Sequence, residues 1–128
     1  MKKALLIALT AFVFIGCSKK DDASTSPYAG TWKGTYTKSS TSPNDNGTFT
    51  FTVAADGTIN GSVVSTVFTT TNTATGSVTT NGQVAVTTGT VTTGASFVGT
   101  ISGTTCSGNW TNNTGSTNYF GTWTGTKQ

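Results

Sequence analysis

From Gly30 onward, polar and apolar or glycine residues alternate one for one, and threonine takes most of the polar positions. Gly30 to Lys38 sets Trp32, Gly34 and Tyr36 against Thr31, Lys33, Thr35 and Thr37; Gly47 to Ala55 sets Phe49, Phe51 and Val53 against Thr48, Thr50 and Thr52. A period of two sends successive side chains to opposite faces of a strand and cannot build a stripe along a helix. Thr fills 32 of the 128 positions and Gly 16. Threonine favours strands, and glycine at this density disfavours helices. After residue 16 no 3.6-residue apolar period appears.

The same alternation recurs to the end of the chain. Thr58 to Phe68 carries Ile59, Gly61, Val63 and Val67 on one face, and a weaker strand spans Ala74 to Thr80. Val84 and Val86 share a face, as do Phe97, Gly99 and Ile101 within Ser96 to Ser102. Cys106, Gly108 and Trp110 do the same within Thr105 to Thr111, and Tyr119 to Lys127 ends the chain. Asp56-Gly57 and Asn81-Gly82 are hairpin signals. The spacing predicts about eight strands, all antiparallel, since no connection is long enough for a crossover helix. The fold class is all-β, an up-and-down meander closing into a small barrel, with an open β-sandwich as the alternative. An internal echo favours closure: Gly30-Thr31-Trp32-Lys33-Gly34-Thr35 opens the domain and Gly121-Thr122-Trp123-Thr124-Gly125-Thr126 ends it, with Gly108-Asn109-Trp110-Thr111 a looser copy. Trp32 and Trp123 are then expected to pack together at the seam.

The first residues follow different rules. Met1-Lys2-Lys3 is basic, Ala4 to Ile15 is a twelve-residue apolar run, and Gly16 precedes Cys17. This is the layout of a secretory signal helix, too short for the ~20 residues of a membrane span. Phe14-Ile15-Gly16-Cys17 resembles the lipobox of bacterial lipoproteins. The resemblance implies a signal peptide over 1–16, acylation of Cys17 and anchoring to a membrane of the cell envelope; one acyl chain holds only marginally, and two or more hold stably. Lys20-Asp21-Asp22 is similar to the export signal of surface-displayed lipoproteins in some Gram-negative bacteria, and reads equally as a solvated charge run. The expected organisation is a lipidated Cys and tether over 17–29 and a β domain over 30–128, in the outer membrane and open to surface display.

Composition narrows the function. Loss of Lys2 and Lys3 leaves five Lys against four Asp, a net charge of +1. Nothing in that balance attracts nucleic acid, which needs clustered cations. The chain has no His, Glu or Arg, and beyond Tyr28 its only carboxylates are Asp45 and Asp56. General acid–base pairs, nucleophile–base pairs and transition-metal ligand sets therefore have no members to draw on. No catalytic residue, metal ligand or cofactor motif is expected, and the protein reads as a non-enzyme. Cys106, alternating with Gly108 and Trp110 and without a basic neighbour, reads as an inert core thiol.

Gly30-Thr31-Trp32 and Ala55-Asp56-Gly57-Thr58-Ile59-Asn60-Gly61-Ser62 resemble the first strand and second hairpin of the calycin barrels, the lipocalin-like and avidin-like proteins. The resemblance implies the barrel and little of the function. Gly34 stands where avidins place a biotin-contacting Asn, and Val63 where they place a Tyr, although Ser65 matches. The Arg that lipocalins pair with the first-strand Trp is missing. The expected function is a membrane-anchored lipoprotein domain that binds a small apolar ligand or a partner, with Trp32, Tyr36, Phe49, Phe51, Phe97, Trp110 and Trp123 as candidate lining residues. The same rings can equally be core. A structural or adhesive surface protein, or an inhibitor-like module without a small ligand, is the alternative. No residue names the ligand or the partner.

Overall fold

The computed structural model describes residues 24–89 and 94–128; the expected signal helix and Cys17 lie outside them. Eight strands follow one another: β1 (Gly30–Lys38), β2 (Gly47–Val53), β3 (Thr58–Ser65), β4 (Thr70–Val78), β5 (Gln83–Thr88), β6 (Ala95–Ser102), β7 (Thr105–Thr114) and β8 (Thr117–Lys127). Each pairs antiparallel with the next, and β8 returns to β1, so the meander is a closed barrel and not a sandwich. The described residues contain no helix. Every strand finds both its partners within residues 30–127, so a chain starting at Ser24 holds a complete folding unit. Gly57 (φ 86°) and Gly82 (φ 81°) supply the left-handed positions that the Asp56-Gly57 and Asn81-Gly82 turns require.

The repeated Gly-x-Trp strings explain how the barrel is filled and shut. The register of β7 on β8 sets Trp110 opposite Gly121 and Trp123 opposite Gly108; Gly108 makes room for the Trp123 indole, and Gly121 for the β1 backbone at Thr37 and Lys38. With no Cβ in the way, Trp123 Nε1 donates across β7 to the carbonyls of Asn109 (3.1 Å) and Val98 on β6 (3.2 Å). By the same geometry Trp110 Nε1 donates across β8 to Thr37 O on β1 at 3.0 Å. Buried indoles need such partners. The second glycines of the outer strings, Gly34 and Gly125, face each other across the β1–β8 seam, and the Phe49 ring lies over both. Trp32 and Trp123 share the paired strands but not a register position: Trp32 faces Lys127, and Trp123 faces Tyr36. The expected indole pair at the seam is thus replaced by a glycine pair under a phenylalanine.

Strand boundaries depart from the sequence reading mainly at one end of the barrel. β3 stops at Ser65, and Val67, expected on the inner face, is exposed with Phe68 in the turn that follows. The Phe68 amide donates to Ser65 Oγ (3.1 Å), and Thr69 takes φ 52°, which turns the chain before a ladder can continue. β4 begins at Thr70 and β7 runs to Thr114, both well beyond their apolar residues. At the opposite end, residues 26–29 are part of the packed unit although the sequence assigns them to the tether. Ser26 N donates to Ala55 O (2.7 Å), Tyr28 packs on the core, and Tyr28 O receives Trp32 Nε1 at 2.9 Å.

Candidate functional site

All seven aromatic residues proposed to line a ligand site are buried, none more than 3% exposed. Six of them, all but Trp32, form one continuous set of rings. Phe49 stacks on Phe51 at 4.5 Å and meets Trp123 edge-on at 5.7 Å. Phe51 meets Phe97 at 6.4 Å, and Phe97 leads on to Tyr36 (5.7 Å) and Trp110 (6.3 Å). Towards the end where the chain enters, Trp32, Phe51 and Trp123 close with Val53, Ile59, Val84, Ile101 and Cys106 around a wholly apolar gap of about 10 Å³. Such a gap holds at most a single water-sized site, and its lining offers no polar partner. That end is core.

At the other end the inner face changes character. Strand parity continues inward through Ser65, Asn72, Thr88 and Asn112, but the residues are now polar. With Asp45 from the β1–β2 loop and the last rings of the set, Tyr36, Phe97 and Trp110, they line a cup of about 60 Å³. By the ~10–15 Å³ that one water-sized site occupies, the cup holds roughly four to six such positions. A wider vestibule of about 320 Å³ adjoins it, sharing Phe68, Thr70 and Asn112 and adding Tyr119. Phe68, half exposed, and Tyr119 meet edge-on at 5.8 Å on its wall.

Asp45 is the chemical centre of the cup. It is 5% exposed, and its Oδ1 accepts from Ser65 Oγ at 2.6 Å and Tyr36 Oη at 3.2 Å. No described residue donates to Oδ2 or pairs a cation with the carboxylate, and no buried side-chain oxygen lacks a partner, so Oδ2 keeps the residual exposure. Burial pushes the Tyr36 hydroxyl up to about 12; the Asp45 charge adds to this and a Ser65 hydrogen bond opposes it. Tyr36 therefore remains a donor throughout the neutral range.

The chain matches no family model, no curated protein and no solved structure. The arrangement itself says what the site can do. Cys106 lies at the apolar end, 6% exposed, and burial pushes its thiol up to about 11. Among the described residues no three His, Cys, Asp or Glu side chains converge. Of the seven candidate aromatics, Tyr36, Phe97 and Trp110 reach the cup, Trp32, Phe51 and Trp123 line only the small apolar gap, and Phe49 fills the seam. Asp45, Asn72, Thr88 and Asn112 were not visible as site residues in the sequence, and Ser65 was marked only by its match to an avidin position. The signal that could have found them is their place in the alternation, each strand member being two residues beyond the last apolar or small inward residue of its strand.

Proposed function

We propose that this protein is a non-catalytic lipoprotein of the cell envelope whose barrel binds a small ligand at the polar cup. The observation that carries the reading is the asymmetry of the interior, packed and apolar at one end and polar and hollow at the other. Ligand sites combine apolar walls with a few placed polar groups, and the cup has both. Its size favours a small polar group over a bulky apolar ligand, for which the filled interior leaves no space.

The anchor fits this geometry. Ser26 to Ala29 seal the apolar end, so a chain tethered at Cys17 would hold that end toward the membrane and turn the cup away from it. Non-catalytic chemistry is favoured because Tyr36 and Ser65 both spend their hydroxyls on Asp45, while the one described thiol sits at the far end with a raised pKa.

Two measurements test the reading. Metabolic labelling with an alkyne fatty acid is expected to mark the full chain and to be lost in Cys17→Ala. Amide spectra of residues 24–128, titrated with a broad panel of small polar metabolites, are expected to shift at Ser65, Phe68 and Asn112. A folded domain whose cup amides respond to nothing in the panel refutes the binding role.

A further inference from the structure

The geometry points to a definite ligand class: the cup recognises a small ammonium head group, held by Asp45 Oδ2 against the aromatic walls of Tyr36, Phe97 and Trp110, with any attached chain leaving past Phe68 and Tyr119. This deepens the binding reading above and rests on it. Asp45 is buried and has no cationic partner among the described residues, and the cup's lining contains no lysine. A buried carboxylate satisfied on one oxygen by two neutral hydroxyls still lacks a counter-charge, and a cation supplies it. An anionic ligand would meet repulsion at the same atom.

The walls point the same way. Tyr36 and Trp110 stand at 72° with centroids 4.9 Å apart, and Phe97 lies beside both at 5.7 Å and 6.3 Å. A ring face turned to the cavity would attract a cation and give nothing comparable to a neutral molecule of equal size. Size sets the head. About 60 Å³ admits a primary or lightly methylated ammonium with a carbon or two and excludes a bulky one. Asn72, on the same lining, offers a side-chain oxygen to which a remaining N–H group can donate. The vestibule then takes an aliphatic continuation along the Phe68–Tyr119 edge.

The experiment titrates residues 24–128 with butylammonium, its neutral isostere butanol and the anion butyrate, at matched ionic strength. Cup amide shifts and tryptophan emission are followed. Butylammonium is expected to bind at least tenfold more tightly than either of the others. Asp45→Asn keeps the Oδ1 acceptor for Tyr36 and Ser65 and is expected to abolish that preference. Phe68→Lys replaces a half-exposed rim ring by a positive charge; both ligands lose the ring and only the cation meets the charge, so it is expected to weaken butylammonium several-fold more than butanol. Equal binding of butanol or butyrate overturns the ammonium assignment but leaves a binding cup. Silence from all three overturns it as well, and the wider metabolite panel then decides whether the cup binds anything. If Asp45→Asn is unfolded, the Phe68→Lys result decides alone.

Discussion

Consider Gly34→Ala at the seam. A Cβ built on Gly34 would stand 2.5 Å from Phe49 Cζ and 2.6 Å from Gly125 Cα, and would also run into the Thr124 carbonyl oxygen. Two of these three neighbours are backbone of β8, which cannot rotate away. The third is a ring held against Phe51 at 4.5 Å and Trp123 at 5.7 Å. The methyl group must therefore part β1 from β8 or push Phe49 into neighbours that are already full. Overpacking of this kind costs about 1–3 kcal/mol, and the stiffer unfolded chain returns about 0.4–1. The net loss is about 1–2 kcal/mol, or roughly 4–16 °C in Tm for a domain of this length. Thermal and urea unfolding of residues 24–128, followed by near-ultraviolet circular dichroism, measure it. Phe49→Leu in the same background separates the ring from the backbone: the double variant is expected to lose less than the sum of the singles, by at least ~0.5 kcal/mol. A Gly34→Ala protein within ~0.5 kcal/mol of the parent, or strict additivity, refutes a seam shut by two glycines under one ring.

Three further outcomes are expected. Tyr36 and Cys106 ionise at about 12 and 11 when folded, above their ordinary 10 and 9. The unfolded chain thus loses these protons first, stability is fully present below pH 9, and it falls as pH rises toward 12; a flat urea midpoint from pH 8 to 11.5 would contradict both burials. Iodoacetamide at pH 8 is expected to leave Cys106 unmodified in the native domain and to label it in urea, as mass spectrometry would read; rapid native labelling would place the thiol at the surface. Thr69→Gly is expected to raise stability by about 1 kcal/mol, because a β-branched residue at φ 52° gains from losing its side chain; a lowered Tm would mean that the Thr69 hydroxyl's bond to Phe68 O (2.7 Å) outweighs the strain.

The barrel was legible because its interior residues obey one period. Phe49, Phe51 and Val53, or Phe97, Gly99 and Ile101, can face only one way in an antiparallel ladder, and Gly34 repeated at Gly125 marks the two strands that close it. What the period could not give was the register across the seam. Alternation fixes which face a residue takes but not its partner, and an even slip of four residues separates the expected Trp32–Trp123 pair from the observed Gly34–Gly125 pair. The site was hidden for a related reason. Thr70 and Asn72 extend the inward row of Ala74, Gly76 and Val78, and Asn112 extends that of Gly108 and Trp110. As polar residues they carry no contrast with the threonines facing solvent. Asp45 sits in an irregular loop, where no periodicity marks it as buried.

That contrast between the two ends bears on why the cup exists at all. The domain has no leucine, and its interior is made from rings laid over glycines. Each buried ring or aliphatic side chain contributes ~1.5–3 kcal/mol, so the simplest way to stabilise such a barrel is to continue the apolar rows to both ends. At the end sealed by Tyr28 the rows do continue, through Val53, Ile59, Val78, Val84 and Ile101. At the other end Ser65, Asn72, Thr88 and Asn112 occupy the equivalent inward places, beside a carboxylate that must be desolvated. A scaffold selected for stability alone would have treated its two ends alike. Stability given up at one end only, over neighbouring positions from separate strands that meet at a single small cavity, is what the proposed binding role requires of the fold.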